Sequence, residues 1–156
     1  MLAVLTTGAA LAAPFHSTKY GFFITPPEGW SHASVPGFAA EFFVGPEQGG
    51  FRSNLNVLEP VSMNGMTPAA LCKANASGIR QAMQDARIVK QQYETRRSVC
   101  EITYTATQNG MPLKFYAELH FGRGLYHTLT FTSTVSGFAK WLPAAKTAFA
   151  SFRATK

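Results

Sequence analysis

Asn109-Gly110 sits between two runs that alternate polar and apolar residues, and this arrangement leaves the chain little freedom there. Asn and Gly both tolerate positive φ, so the pair is the strongest short-range signal for a two-residue hairpin turn. Folding residues 99–108 back onto 111–121 pairs Ala106 with Leu113, Tyr104 with Phe115, Ile102 with Ala117 and Cys100 with Leu119. All of these are apolar on apolar. The other face pairs Thr105 with Lys114, Thr103 with Tyr116 and Glu101 with Glu118. A slip by one residue would mix the two sets, so the register is well specified. Gly122-Arg123-Gly124 then predicts a second hairpin with a three-residue loop, Gly124 taking the left-handed position. That loop sets Phe121 against Leu125, Leu119 against His127, Ala117 against Leu129 and Phe115 against Phe131, with His120 opposite Tyr126 on the polar side. The expectation is a three-strand meander with one greasy face and one wet one.

The remaining elements attach to this meander. Residues 20–24 (YGFFI), 38–44 (FAAEFFV), 53–58 (SNLNVL) and 88–93 read as strands, divided by Pro and Gly turns. Thr67-Pro68 has the order of an N-cap and first helical residue. The helix it opens carries an apolar stripe of Leu71, Cys72, Ala76, Ile79 and Met83. A closing helix follows Ser136-Gly137 and buries Phe138, Trp141, Leu142, Ala145, Ala148 and Phe149. Strands, a helix, four strands and a helix make an α+β domain: an antiparallel β-sheet with helices packed on its faces.

Composition narrows the class further. The chain has 156 residues, 46% of them hydrophobic and 13 of them Phe, which supports one well-filled core and excludes disorder. Charged residues make up only 14%, against about 25% in an ordinary domain, so much of the surface must be neutral. Asp85 is the only aspartate, which argues against enzymes that hold metals through aspartates. There is no phosphate loop and no dinucleotide fingerprint, and no cofactor is expected.

Residues 1–13 are apolar, uncharged and end in an Ala-x-Ala arrangement. They are too short to span a bilayer, which takes about 20 residues, and read as the hydrophobic and cleavage part of a secretory signal. The competing reading is a short buried N-terminal element. A signal leaves residues 14–156 as a single mature domain, periplasmic or secreted, without a transmembrane helix. Cys72 and Cys100 both point toward the same predicted core. A helix-to-sheet disulfide and two separately buried thiols both fit, and an oxidising compartment favours the disulfide.

Several motifs resemble the PsbP-like superfamily, which includes the photosystem II extrinsic PsbP type and the bacterial DcrB type. They are Tyr20-Gly21-Phe22, the turn Pro27-Glu28-Gly29-Trp30, and Asn54-x-Asn56-Val57 before the first helix. The late strand Tyr126-x-Thr128-Leu129-Thr130-Phe131 and the end of the last helix at Ser151-Phe152 add to them. The resemblance implies an α/β/α sandwich and an accessory, assembly or interaction role. It carries over no catalytic residue, because the superfamily shares no catalytic motif.

Glu101 and Glu118, expected side by side near His120 and Tyr126, are the one arrangement that invites chemistry. A hydrolase or a divalent metal could use such carboxylates. No nucleophile accompanies them, so the bland reading is preferred: they are solvated, or neutralised by a neighbouring Lys or Arg. His127 reads as a hydrogen-bonded core histidine. Arg80, Arg87, Lys90, Arg96 and Arg97 cluster in sequence within a chain of net charge +6. They read as a solvated face that happens to be basic, or as a patch that could meet a cell-envelope protein partner, an anionic lipid or a glycan. An extracytoplasmic address argues against nucleic acid. Phe38, Phe42, Phe43 and Phe51 either fill the second layer of the sandwich or line a lipophilic pocket or a partner-docking surface. The expected function is that of an exported, non-enzymatic envelope accessory protein acting through protein–protein interaction. The alternative is a periplasmic carrier or sensor of a small lipophilic or anionic ligand.

Overall fold

The computed structural model describes residues 12–155, so nearly all of the expected leader lies outside the described residues. Strands β1 (Phe15–Ser17), β2 (Phe22–Ile24), β3 (Ser31–Ala33), β4 (Ala40–Gln48), β5 (Phe51–Leu58) and β6 (Val61–Ser62) precede helix α1 (Pro68–Ala82). Strands β7 (Arg87–Glu94), β8 (Val99–Gln108), β9 (Met111–Gly122) and β10 (Leu125–Thr134) follow, and then α2 (Phe138–Ala150) and β11 (Arg153–Ala154). The main sheet is antiparallel in the order β3-β4-β5-β10-β9-β8-β7, with β6 beside β10. A small sheet, β1-β2-β11, stands apart from it. This is the α+β architecture the sequence predicts. Among the described residues no helix is long and apolar enough to cross a membrane.

Local chemistry places α1 where the sequence does. The Thr67 hydroxyl accepts from the Ala70 amide at 3.2 Å, satisfying one of the amides a helix start leaves without partners. Leu71, Cys72 and Ala76 are buried and Ile79 and Met83 pack beside them. The first hairpin has the predicted register throughout, Glu101 opposite Glu118 included.

The second hairpin does not. Arg123 and Gly124 both have positive φ, 54° and 74°, so the loop is a two-residue turn whose twist matches the strands. Leu125 therefore pairs with Gly122, Tyr126 with Phe121, His127 with His120, Leu129 with Glu118 and Phe131 with Tyr116. Relative to the expected three-residue loop, every side chain of β10 changes face. The face expected to be wet becomes a second core.

Paired residues point to the same side, so the register can be followed across the sheet. One row runs Phe43, Leu55, Phe131, Tyr116, Thr103. On that side α2 covers β9 and β10, and Phe138, Ala145, Ala148 and Phe149 close the core with Trp30 and Phe22. The next row, on the opposite side, runs Phe42, Asn56, Thr130, Ala117, Ile102. There α1 packs on β7 and β8, and Cys72, Cys100, Ile102, Tyr104, Leu113, Phe115 and Leu119 form the core on the face expected to be apolar. Cys72 and Cys100 are disulfide-bonded and tie α1 to β8.

Candidate functional site

The corrected register changes the surroundings of Glu118. It is 4% exposed, buried on the α2 side. Tyr116 donates its hydroxyl to Oε1 at 2.7 Å, and His120 approaches Oε2 through Nε2 at 2.6 Å. Burial alone would raise this carboxyl. The hydrogen bonds from His120 and Tyr116, with the positive potential of His120 and Arg97, outweigh it and hold the group below the ordinary carboxylate range. The Tyr116 phenol is pushed far above its ordinary value by burial and by Glu118. Neither expectation of a solvated Glu118 nor one neutralised by Lys or Arg from a neighbouring element is met: its direct partners are Tyr116 and His120 of its own strand. Across the hairpin, Glu101 receives Arg97 Nη2 at 2.8 Å and lies 3.5 Å from Lys90 Nζ. The opposed carboxylates are thus satisfied separately. A glycosidase-type acid needs a raised pKa, whereas Glu118 is shifted the other way. No third His, Cys, Asp or Glu joins Glu118 and His120 as a metal cluster among the described residues.

His127 is buried and hydrogen-bonded as expected, although on the α2 face rather than the α1 face. Its Nε2 faces the Tyr20 carbonyl at 3.3 Å, so that nitrogen carries the proton. Burial lowers its pKa.

Next to this cluster, three chain segments meet at one end of the sheet. The β7–β8 turn is pinned there by the hydrogen bond from the Phe121 amide to the Ser98 carbonyl, 3.0 Å. The β9–β10 turn contributes Arg123. Beyond α2 the chain returns through Phe152 to β11, and the Thr155 amide binds the Gly21 carbonyl at 2.8 Å. Between these segments lies an open pocket of about 310 Å³ lined by Arg97, Arg123, Arg153, His120, His127, Leu125 and Phe152. The Phe152 ring packs against both imidazoles, 4.9 Å from His120 and 5.1 Å from His127.

The five basic residues singled out from sequence are spread from α1 along β7 to the turn after it. Arg80 is in the last turn of α1 and Arg87 begins β7, whereas Arg96 and Arg97 lie beyond its other end. Lys90 and Arg97 are engaged with Glu101. Arg97 alone of the five lines the pocket. Arg123 and Arg153 escape a sequence reading because only the true β9–β10 register and the course of the chain after α2 bring them to it.

Two other features bear on binding. On the α1 side the helix stops short of β10, β5 and β4, leaving Phe42, Asn56 and Thr130 half-buried in a row, with Phe38 64% exposed against Phe42. On the α2 side an apolar groove of about 510 Å³ runs between Pro26-Pro27 and the helix, lined by Trp30, Trp141, Ala144 and Ala148. None of Phe38, Phe42, Phe43 and Phe51 lines it, and Phe43 is core.

No family model and no curated protein matches the sequence. Solved structures do match its fold. The cyanobacterial PsbP protein of Synechocystis is 16% identical, with a TM-score of 0.66 over 99% of this chain and 98% of that one. LpqN of Mycobacterium tuberculosis, described as involved in cell envelope biogenesis, is 11% identical, with a TM-score of 0.63 over 92% and 90%. The Ran-binding protein of Saccharomyces cerevisiae is 7% identical, with a TM-score of 0.66 over 92% and 95%. Matched nearly end to end on a sheet with a helix against each face, the chain has the PsbP-like fold.

Proposed function

We propose that this chain is an exported accessory or assembly domain of the cell envelope that works by docking another protein rather than by catalysis. One observation carries the reading. The row Phe42, Asn56, Thr130 continues directly into Ala117 and Ile102, which are buried, yet it is itself only half-buried, with no helix packed on it among the described residues. Together with the exposed Phe38 it makes a mixed aromatic and amide surface on a rigid sheet, the composition of a non-obligate interface. Export is supported by the apolar leader-like residues 1–13 and by the disulfide, which persists in oxidising compartments. The envelope role described for LpqN, on the same fold, agrees with it. The test is affinity capture from envelope extract with the mature domain and with an Asn56→Arg/Thr130→Lys variant. A stoichiometric partner held by the first and lost by the second is expected. Equal recovery by both, or none by either, removes the reading.

The apolar groove beside α2 favours a second reading, a carrier of a small lipophilic molecule. Native mass spectrometry of the purified protein decides it: a co-purifying lipophile displaced by Ala144→Trp is expected, and its absence disposes of the idea.

A further inference from the structure

We propose that the pocket between the β7–β8 turn, the β9–β10 turn and β11 binds a phosphoryl group, with Arg97, Arg123 and Arg153 as its ligands. The site stands independently of both functional readings, because neither uses these residues. Its three arginines come from segments distant in sequence, and all of them line one pocket of about 310 Å³. Each is left with donors to spare. Arg97 spends Nε on Glu94 and Nη2 on Glu101, leaving Nη1. Arg153 is steadied through Nη1 on the carbonyls of Ala150 and Phe152, leaving Nε and Nη2. Neither Arg123 nor Arg153 meets a carboxylate within ion-pair distance among the described residues.

The lining holds no acid. Glu118, the nearest buried one, has its two oxygens taken by Tyr116 and His120. A planar carboxylate is satisfied by a single guanidinium fork, whereas a tetrahedral phosphoryl group offers terminal oxygens to donors from several sides. Free donors from three separate segments, Nη1 of Arg97, the guanidinium of Arg123, and Nε and Nη2 of Arg153, fit the second. The volume exceeds that of a bare phosphate, and Leu125 and Phe152 give the remainder an apolar wall. The ligand class is therefore a phosphate monoester with a small organic body, either free or as a lipid headgroup.

The experiment uses the mature domain at physiological ionic strength, with glycerol 1-phosphate as the soluble probe. Phosphatidylcholine vesicles with and without phosphatidic acid serve as the lipid probe. Calorimetry compares wild type with Arg123→Asn/Arg153→Gln, in which Asn keeps the left-handed turn, and with the charge-matched control Arg80→Gln/Arg87→Gln. Saturable binding of either probe is expected, weakened about tenfold or more by the pocket pair and about twofold or less by the control pair. The probe that binds identifies the source. Amide shifts in the wild type give a readout that needs no variant: they should centre on residues 97, 122–124 and 152–154. No saturable binding of either probe, equal losses in the two variants, or shifts spread over the basic surface would overturn the assignment.

Discussion

Glu118 Oε2 and His120 Nε2 meet at 2.6 Å beneath α2, with the Glu118 side chain only 5% exposed. A carboxylate so placed is held by its partners: an amide in its place can still accept from Tyr116, but it loses the charge and one of the two acceptor oxygens that Tyr116 and His120 share. Glu118→Gln should destabilise the domain by about 2–3 kcal/mol. The pH dependence has a definite sign. The folded carboxyl lies below its ordinary value, so its stabilisation is complete above about 4.3 and is lost as pH falls through the lower folded value. Urea titrations at neutral pH and near pH 3 should show wild type losing stability on acidification and the variant losing less. Parallel losses would mean that Glu118 is not the group responsible.

His127 makes the complementary prediction in a higher window. Burial in the α2 core lowers its pKa against the raising effect of the Tyr20 carbonyl, so the folded state keeps it neutral where the unfolded chain would protonate it. The stability this contributes is complete above about 6.5 and declines as pH falls toward the folded value. His127→Gln keeps a donor for Tyr20 and should flatten the stability slope between pH 7 and pH 5. A slope unchanged from wild type would place the titration elsewhere.

Much of the scaffold could be read from residues alone, because local chemistry decides it. Asn109-Gly110 specifies its own turn, and Thr67-Pro68 its own helix start. Gly122-Arg123-Gly124 is different. Either glycine can take the left-handed position, and the loop length that follows decides which face of β10 is buried. A three-residue loop makes Leu129 and Phe131 partners of Ala117 and Phe115, a self-consistent apolar face. The actual turn sends them to the side of Glu118 and Tyr116, which only becomes sensible once α2 is known to cover that side. The pocket inherits the same difficulty. His120, Arg123 and Arg153 carry no mutual spacing signal, since their meeting depends on that register and on the return of the chain after α2.

The disulfide gives a third test. Cys72 and Cys100 are separated by 28 residues, and closing a loop of that size restricts the unfolded chain by about 3–4 kcal/mol. Cys72→Ala/Cys100→Ala should lower the urea midpoint accordingly, with the slope altered by a less compact unfolded state. Reductant should reproduce the effect in wild type and leave the variant untouched. A midpoint insensitive to reductant would show that the bond contributes nothing to the domain.

Two glycines should respond to the same substitution with opposite signs. At Gly45 an added Cβ would lie 2.7 Å from Trp30 Cε2 and 3.1 Å from the Ser53 carbonyl oxygen. The indole has little room to retreat, packed with Phe131 at 6.3 Å and Trp141 at 6.0 Å between ring centres. Gly45→Ala should therefore cost about 1–3 kcal/mol through overpacking and shift the tryptophan fluorescence. At Gly78, inside α1, nothing lies within 4 Å of the added atom. Gly78→Ala should stabilise by about 0.5–1 kcal/mol, because alanine loses less backbone freedom in a helix. Thermal and urea unfolding of the two single variants and the double variant measure this directly. If Gly45→Ala proved neutral with unchanged fluorescence, Trp30 would not be wedged against β4, and the wall of the groove beside α2 would be looser than the packing implies.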